Sequence, residues 1–377
     1  MLNNKKTILI VVGCYLPGFK AGGPIRTISN LVESLGEDYN FKIITRDRDL
    51  GDIEPYNVEL NTWCKLGRAE VYYINQNTSI LKLKSIIKSI DYDVLYLNSL
   101  FNLTFTIKPL ILARFKLIKN NHVVLAPRGE LSYNALMNKR IKKIIFLKIF
   151  TLLGFYRNIN WHASSNYERL DILNLKGIKD KNIKLAKNIP TKTTIRKDKI
   201  NHHDILKICF IARISLMKNL IYVIEVLKEV RREIEFDIYG PIEDVLYWNK
   251  CLRLMEDLPE NIHFNYMGVL NSDEIHITLI KYNILFVPSL GENYGHIYAE
   301  ALSVGIPILV STKTPWRNLV VHKVGWDIDL ENKKSFIEVI EGFNIKDESY
   351  RDNCVNYLNN FVNINILKEN MKIFDND

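Results

Sequence analysis

The sequence predicts an α/β protein made of two Rossmann-like domains that face each other across a cleft. Apolar runs typical of buried parallel strands alternate with helical segments along the chain. This alternation stops once, in the polar and aperiodic residues 188–205, and then begins again. With 377 residues, of which 47% are hydrophobic and 25% charged, the chain is long enough for two domains with separate cores.

The first half opens with the apolar run TILIVVG at residues 7–13, which predicts a strand. The segment 24–36 has its apolar residues at helical spacing and predicts the first helix. The same criteria predict further strands at 41–45, 70–74, 93–98, 122–127, 159–162 and 182–187, and helices near 78–90, 104–119, 135–154 and 165–175.

The second half repeats this pattern and ends in a helical tail. Strands are predicted at 206–212, 235–240, 261–266, 284–288 and 308–310, and helices at 217–231, 242–257 and 272–281. We therefore divide the chain into a first domain (1–187), a linker (188–205), a second domain (206–345) and C-terminal helices (346–377) that could pack back on the first domain.

The cysteines indicate a reducing environment. There are five, an odd number, with no CxxC or Cys/His cluster, so neither a disulfide framework nor a zinc site is predicted. The N-terminal apolar run is only about seven residues long, which favours a strand over a signal peptide. No apolar stretch reaches the roughly 20 residues of a membrane-spanning helix. We therefore expect a cytoplasmic protein.

The basic residues concentrate in the first half. Residues 1–187 hold 29 Lys and Arg against 15 Asp and Glu, whereas residues 188–377 hold 22 against 27. This asymmetry indicates that the two halves meet different partners. Nucleic acid is one partner for a basic surface, but no RNA- or DNA-binding motif accompanies the charge, so we do not expect it.

Residues 286–311, FVPSLGENYGHIYAEALSVGIPILVS, predict a strand, a loop, a helix and another strand. Glu292 lies in the predicted loop, and Glu300 follows about two turns inside the helix. Gly295 at the helix mouth would let a ligand approach backbone N–H groups, where an anion is favoured. The alternative is that Glu292 only caps the helix and that Glu300 is solvated.

Two further motifs suit a phosphorylated ligand. The pair Gly22-Gly23 follows the first strand and opens the first helix, although an ordinary flexible loop would look the same. The absence of GxGxxG argues against a dinucleotide oxidoreductase. Arg213 at a strand end and Lys218 at a helix start would suit a diphosphate, unless they are merely solvated surface cations.

Together these motifs resemble the retaining nucleotide-sugar glycosyltransferases of the GT-B fold, the glycosyl transferases group 1 family. The resemblance covers nearly the whole chain, and the stretch ENYGHIYAEALSVGIPILVS follows the family's form with Tyr294 in place of the common Phe. Three family motifs are matched in order: the glycine pair by Gly22 and Gly23, R-x4-K by Arg213 and Lys218, and E-x7-E by Glu292 and Glu300.

The resemblance implies a role for each residue. Glu300 would bind the donor ribose and Glu292 the donor sugar. Arg213 and Lys218 would hold the diphosphate and stabilise the leaving nucleoside diphosphate. Gly22 and Gly23 would also lie at the donor, and further donor contacts would come from the amides of Asn293, Tyr294, Gly295 and His296. The family uses no bound metal or other cofactor, and the leaving phosphate is a plausible base for the acceptor hydroxyl.

One position departs from the family. Many members carry a His where this chain has Pro-Arg-Gly-Glu at residues 127–130. The change resembles a subgroup involved in O-antigen and exopolysaccharide assembly, which also shows Asn-Ser after the preceding strand, here Asn98 and Ser99. Its members carry a late Trp pair as well, here Trp316 and Trp326.

Arg128 is therefore a candidate for the catalytic site. It would bind the acceptor or steady charge, with Asn98 and Ser99 on the acceptor side. The alternative is that Arg128 pairs with Glu130 or another acid. Nearby, the motif around His162 predicts a mainly structural capping box between Ser165 and Glu168.

Residues 138–157, NKRIKKIIFLKIFTLLGFYR, predict a helix that is both basic and strongly apolar. Its cations are Lys139, Arg140, Lys142, Lys143, Lys148 and Arg157. Such a helix suits an anionic membrane surface, which would fit a lipid-linked acceptor. The alternative is a packing helix with a solvated basic face.

We therefore predict a retaining, metal-independent glycosyltransferase at the inner face of the cell membrane. It would transfer a sugar from a nucleoside-diphosphate sugar to a glycan in bacterial O-antigen, capsule or exopolysaccharide biosynthesis. We expect this acceptor to be lipid-linked. One alternative is a non-catalytic GT-B subunit that only binds in a polysaccharide assembly complex. The other is a two-domain Rossmann enzyme such as a sugar-nucleotide epimerase or a dehydrogenase, which the missing GxGxxG disfavours.

Overall fold

A computed structural model describes residues 5–137, 140–191, 205–271, 273–361 and 364–375. The chain divides into two compact units: unit 1 comprises residues 1–189 and 364–377, and unit 2 comprises residues 190–363. The boundary expected after residue 187 is close to this division, and residues 192–204 of the predicted linker lie outside the described residues. The expected C-terminal segment is split, because its helix after residue 346 belongs to unit 2.

Unit 1 is built around one large sheet. Its strands are β1 (Thr7–Val11), β2 (Asn40–Arg46), β3 (Trp63–Leu66), β4 (Ala69–Ile74), β5 (Val94–Asn98), β6 (Val123–Ala126), β7 (Asn160–Ala163) and β8 (Ile183–Leu185). Its helices up to the division are α1 (Gly23–Leu35), α2 (Ile80–Lys88), α3 (Lys108–Arg114), α4 (Tyr133–Met137), α5 (Arg140–Leu152) and α6 (Asn166–Leu173).

Unit 2 repeats the architecture with six strands. They are β9 (Leu206–Ile211), β10 (Ile234–Tyr239), β11 (Ile262–Gly268), β12 (Ile284–Val287), β13 (Ile308–Ser311) and β14 (Gly325–Ile328). Its helices are α7 (Leu220–Leu227), α8 (Val245–Met255), α9 (Glu274–Leu279), α10 (His296–Ser303), α11 (Lys333–Gly342) and α12 (Ser349–Phe361), after which α13 (Ile364–Lys372) belongs to unit 1.

The strand orders place a topological switch point in each sheet. Unit 1 has the order β3-β4-β2-β1-β5-β6-β7-β8, with only the β3–β4 pair antiparallel, and unit 2 has the fully parallel order β11-β10-β9-β12-β13-β14. The direction of winding reverses between β1 and β5 in unit 1 and between β9 and β12 in unit 2. Ligands bind such sheets beyond the carboxyl ends of the strands at these points.

The central strands are apolar because both of their faces are covered. Leu9 and Val11 on β1 and Leu95 and Leu97 on β5 have no exposed surface, and the same holds for all of β12. Strands buried on both faces read as continuous apolar runs, which is why the sequence revealed them. The predicted α/β alternation is confirmed in both units.

The sequence did not predict β3, β14 or α11. β3 and β14 have four residues each and are partly exposed, so they lack the long apolar run of a central strand. The helix predicted at 135–154 appears as α4 and α5, with residues 138 and 139 outside the described residues. Of the helices that the structure describes, none is both long and apolar enough to cross a membrane.

Candidate functional site

The switch point of unit 2 brings together two cations and one carboxylate that the sequence had singled out. Arg213 follows β9, Lys218 ends the short 3-10 turn Leu216–Lys218, and Glu292 lies in the loop after β12. Lys218 Nζ forms an ion pair with the Glu292 carboxylate. The two side chains are only 17% and 16% exposed, so the pair is largely shielded from water.

Two hydrogen bonds connect the segments that carry Lys218 and Glu292. Leu290 N donates to Met217 O at 2.9 Å, and Asn219 Nδ2 donates to Pro288 O at 3.2 Å. Asn219 has left-handed backbone angles, with φ of 60°, and directly precedes α7. Asn tolerates this conformation better than most residues, which explains its position between turn and helix.

Arg213 is in a different environment. Its Nη1 lies 2.6 Å from Glu243 Oε1, and the two side chains are 38% and 44% exposed. An ion pair this accessible contributes about 0–1 kcal/mol to stability. The alternative of two solvated cations is therefore wrong for Lys218, whereas Arg213 remains substantially accessible. Glu243 was not predicted from the sequence, because 30 residues separate it from its partner.

The second glutamate of the pair is buried. Glu300 lies in the second turn of α10 and is 2% exposed. Gly295, the residue directly before this helix, has φ of 78°, and no side chain caps the helix. The alternative of a capping Glu292 and a solvated Glu300 is therefore wrong, since Glu292 binds Lys218 and Glu300 is enclosed.

Gly295 is required by its surroundings. A Cβ added there would lie 2.4 Å from two ring carbons of Tyr298. Real Cβ atoms essentially never come this close to another heavy atom. Tyr298 Oη in turn donates to Val287 O at 2.9 Å, and burial raises the pKa of this phenol. The first turn of α10 is thus hydrogen-bonded to the end of β12, and the loop between them is closed.

The side chains around this loop are packed inward. Tyr294 and His296 are both 6% exposed, and their rings lie 4.8 Å apart. Trp316 Nε1 donates to Tyr294 O, which is the contact made by the first member of the late Trp pair. Asn293 is half-buried. A ligand at this loop would therefore meet backbone groups, and the expected amide contacts of residues 293–296 stay a prediction.

The glycine pair of unit 1 lies in a loop held by an acid. Gly22 has φ of 62° and precedes α1, which begins at Gly23. Asp49, 3% exposed, accepts hydrogen bonds from Phe19 N at 2.7 Å and Lys20 N at 3.0 Å. The space around a Cβ at Gly22 is open, so its glycine requirement is conformational. Asp49 was not among the candidates predicted from the sequence.

A buried cluster of hydrogen-bonded side chains surrounds Arg128 in unit 1. We call it the Arg128 cluster, and it consists of Tyr96, Asn98, Arg128, His162 and Asn188. Arg128 Nε donates to Asn98 Oδ1 and Nη1 donates to Asn188 Oδ1, both at 2.9 Å, while Nη2 donates to Tyr96 Oη. The structure thus brings the predicted residues Asn98 and Arg128 together.

The hydrogen-bond directions in the Arg128 cluster are fixed. His162 Nε2 lies 2.8 Å from Ala186 O, which can only accept, so Nε2 carries the proton. Nδ1 then accepts from Tyr96 Oη at 2.6 Å, and that oxygen accepts from Arg128. Burial, and then the charge of Arg128, lower the pKa of His162 to about 3. The histidine is therefore neutral and structural.

Glu130 does not pair with Arg128. Its carboxylate accepts hydrogen bonds from Ser99 Oγ and from the amides of Leu100 and Phe101. Burial raises the pKa of this carboxyl group. The alternative of an Arg128–Glu130 ion pair is therefore wrong, and Glu130 instead holds Ser99, whose φ is 90°.

The predicted capping box is present with a shifted partner. Ser165 Oγ accepts from Glu168 N at 3.1 Å and caps α6. The Glu168 carboxylate accepts a hydrogen bond from Ser164 N at 2.8 Å, where the usual capping box has Ser165 N as the donor. It also accepts from Gly129 N at 2.6 Å. This box therefore also fixes the backbone next to Arg128.

Within the described ranges, no three His, Cys, Asp or Glu side chains gather as a metal-binding group. Metal-independent action stays a prediction.

The model of one protein family, described as glycosyl transferases group 1, matches residues 191–361 of this chain. No curated protein matches the sequence. These residues include Arg213, Lys218, Glu292 and Glu300, so the family match and the ion-paired switch point of unit 2 coincide.

Several solved structures share the fold over almost the whole chain. A glycosyltransferase from Rickettsia africae ESF-5 has a TM-score of 0.67 at 14% identity, covering 98% of both chains. HepE from Anabaena, in complex with UDP-glucose, has a TM-score of 0.68 at 13% identity, covering 97% of this chain and 98% of its own. WaaG, a glycosyltransferase involved in lipopolysaccharide biosynthesis, has a TM-score of 0.65 at 12% identity, covering 98% of both. The predicted fold of two parallel-sheet domains is confirmed.

Proposed function

We propose that this chain is a GT-B glycosyltransferase of the glycosyl transferases group 1 family, whose model matches residues 191–361. Unit 2 would bind a nucleoside-diphosphate sugar as donor for transfer to a glycan acceptor. The observation that carries this proposal is the gathering of Arg213, Lys218 and Glu292 at the switch point of a parallel sheet. HepE, which shares the fold, was crystallised with UDP-glucose, which supports a donor of this kind.

The chemistry of the site suits this donor. Arg213 can bind phosphate oxygens through its fork, and Lys218 can act as a point charge. Glu292 would accept hydrogen bonds from sugar hydroxyls, and the buried Glu300 from the ribose. Carboxylates with these neighbours serve as binding groups, in contrast to the acid and base pair of a hydrolase.

We propose that transfer retains the anomeric configuration and needs no metal. A bond forms between the anomeric carbon and the acceptor oxygen, and the bond from that carbon to the diphosphate breaks. The hydroxyl proton passes to the leaving phosphate, whose negative charge Arg213 and Lys218 stabilise. The cations would thereby supply the charge stabilisation that a metal gives in other phosphate chemistry.

A donor screen followed by a transfer assay tests this function. Purified protein should be stabilised against heat by one of the UDP-, GDP- or dTDP-sugars, because a ligand that binds only the native state raises its stability. With that donor in labelled form, Glu292→Ala and the double variant Arg213→Ala/Lys218→Ala should lose sugar transfer while the circular dichroism spectrum is retained. Full transfer by either variant would disprove the assignment. Donor binding by the wild type without transfer or hydrolysis would support the non-catalytic alternative.

We further propose that the acceptor is a lipid-linked glycan of bacterial surface polysaccharide biosynthesis, and that α5 docks on the inner face of the membrane. α5 has two apolar faces. Leu147 and Phe150 are buried against unit 1. An exposed apolar stripe lies on the opposite face, with exposed fractions from 47% to 84%: Ile141, Ile145, Ile149 and Leu152.

Charge accompanies the exposed apolar stripe. With 3.6 residues per turn, Lys142 and Lys148 flank the stripe on its two sides, and Arg140 lies at the start of the helix. Apolar side chains that face solvent beside lysines suit an anionic bilayer, which would bury the stripe and attract the cations. This observation favours the membrane over the alternative of a solvated basic face, because the outward face of α5 is apolar.

Vesicle binding tests the membrane proposal. We expect co-sedimentation with anionic vesicles that weakens as salt rises, and a loss of at least about tenfold in affinity for Ile145→Gln/Ile149→Gln, since each buried aliphatic side chain contributes about 1.5–3 kcal/mol. Leu81→Gln is a matched control, because Leu81 is 74% exposed on a different helix of unit 1. Equal losses in the control and the stripe variant, or binding that ignores salt, would rule out this docking mode.

A further inference from the structure

Arg128 is a cation held entirely by neutral groups. The partners of its three nitrogens are two amide oxygens and one phenol. Among the residues that the structure describes, no carboxylate oxygen lies within the 4.0 Å of an ion pair with it. The nearby Glu168 carboxylate is occupied by two backbone amides and the Ser164 hydroxyl. The guanidinium therefore keeps an uncompensated positive charge.

The Arg128 guanidinium is also held in one position, and some of its N–H donors are unused. Tyr96, Asn98, His162 and Asn188 are each at most 4% exposed. Arg128 is the donor in each of its three hydrogen bonds. Arg128 itself is only half-buried. A guanidinium has five N–H donors and three are used here, so two are left for a ligand. A preorganised cation with free donors is the arrangement that binds oxyanions best.

The position of Arg128 is that of a ligand site. It follows β6, Asn98 ends β5, and Asn188 follows β8, so these three residues lie at the carboxyl ends of parallel strands of one sheet. Arg128 and Ser99 have φ of 57° and 90°, which residues other than glycine rarely adopt. Such strained residues concentrate at functional sites.

We propose that Arg128 binds a phosphate oxyanion of the acceptor substrate. This inference rests on the proposed function and names the chemistry of its second substrate. A glycan linked to a lipid through phosphate carries such a group next to its sugar. Arg128 would then position the acceptor, while Arg213 and Lys218 hold the phosphates of the donor.

Inorganic pyrophosphate is a suitable probe, provided that its binding to the donor cations is removed. We start from Arg213→Ala/Lys218→Ala and add Arg128→Gln to it. Thermal stabilisation by pyrophosphate should persist in the double variant and require about 10- to 100-fold more pyrophosphate in the triple variant, as expected for the loss of a hydrogen bond to a charged group. Equal binding by the double and triple variants would overturn the proposal.

Two further measurements separate the proposal from its rivals. In the otherwise wild-type chain, Arg128→Gln should leave UDP binding within about twofold, and an equal loss of UDP binding would mean that the phosphate belongs to the donor. Tyr96→Phe keeps the cation and removes the two hydrogen bonds of the phenol, with Arg128 and with His162, so it should lower the melting temperature yet retain most pyrophosphate binding. If it abolishes binding as Arg128→Gln does, the effect is structural and the proposal is wrong. Because none of these assays needs sugar transfer, their failure is distinct from failure of the proposed function.

Discussion

The ion pair between Lys218 and Glu292 should make a measurable contribution to the stability of unit 2. The two side chains are 17% and 16% exposed, so removing one partner leaves the other charge mostly out of water. Exposed pairs contribute about 0–1 kcal/mol, and breaking a fully buried pair costs about 3–5 kcal/mol. Lys218→Met should therefore lower the free energy of unfolding by about 1–3 kcal/mol.

A double-mutant cycle isolates the pair. Urea unfolding of the wild type, Lys218→Met, Glu292→Gln and the double variant gives the coupling energy, which we expect to be at least about 1 kcal/mol. The exposed pair of Arg213 and Glu243 is the matched control within the same unit, and its coupling should be smaller than that of the shielded pair. A coupling for Lys218 and Glu292 within the usual additivity error of about 0.5 kcal/mol would refute the reasoning.

The same pair has a consequence for ligand binding. In the free protein Glu292 already neutralises Lys218, so a diphosphate must share or displace that carboxylate. Glu292→Gln removes the competitor without removing the cation. UDP lacks the transferred sugar that Glu292 would bind, so it should bind about 3- to 10-fold more tightly to this variant in calorimetry, even though sugar transfer is lost. Weaker UDP binding would show that Glu292 does not compete for Lys218.

Three further changes test the surroundings of both sites. Gly295→Ala should lower the free energy of unfolding, measured by chemical denaturation, by about 2–4 kcal/mol, because of left-handed backbone strain and the clash with Tyr298. Gly342→Ala is the control: its Cβ would meet nothing within 4 Å, so it should be neutral or slightly stabilising. Tyr298→Phe should cost about 1–2 kcal/mol, because Val287 O loses a buried hydrogen bond, and an unchanged unfolding midpoint would contradict this. The pKa of His162 is about 3 in the folded chain and about 6.5 in the unfolded chain. Between these pH values the unfolded state binds more protons, so the free energy of unfolding falls as the pH decreases. At pH 5 the loss is about 2 kcal/mol. His162→Gln should remove that part of the pH dependence, and an unchanged pH profile would show that the histidine is not buried neutral.

The sequence reveals those elements whose burial is uniform. β1, β5 and β12 are covered on both faces and therefore appear as apolar runs. β14 was missed because it has four residues and a partly exposed pattern, which resembles a loop in the sequence. The predicted element boundaries differ from the observed ones by a few residues, because helix and strand ends depend on tertiary contacts.

The candidate site was partly accessible to the same reasoning. Arg213, Lys218 and Glu292 lie where strands end, and their motifs singled them out as candidates, while their roles came from the family resemblance. Their partners were not accessible, because the sequence does not say which distant side chains meet. Asn188 lies 60 residues after Arg128, and Glu292 lies 74 residues after Lys218. Long-range pairs of this kind are fixed by the sheet order, which a single sequence leaves open.

Left-handed backbone marks the carboxyl edge of both sheets, and only part of it is visible as glycine. Gly22 and Gly295 follow β1 and β12, and their residue type indicates the conformation. Ser99 and Arg128 adopt it after β5 and β6 without that signal. Glycine would hold this backbone at no cost, whereas an L-residue with a side chain costs about 1–2 kcal/mol. The cost at Ser99 is offset by its hydrogen bonds to Glu130. At Arg128 it is offset by the contacts of the guanidinium and by the Glu168 carboxylate, which accepts from the next amide, Gly129 N. The arginine therefore carries a backbone cost that glycine would avoid, as expected for the binding role proposed for its charge.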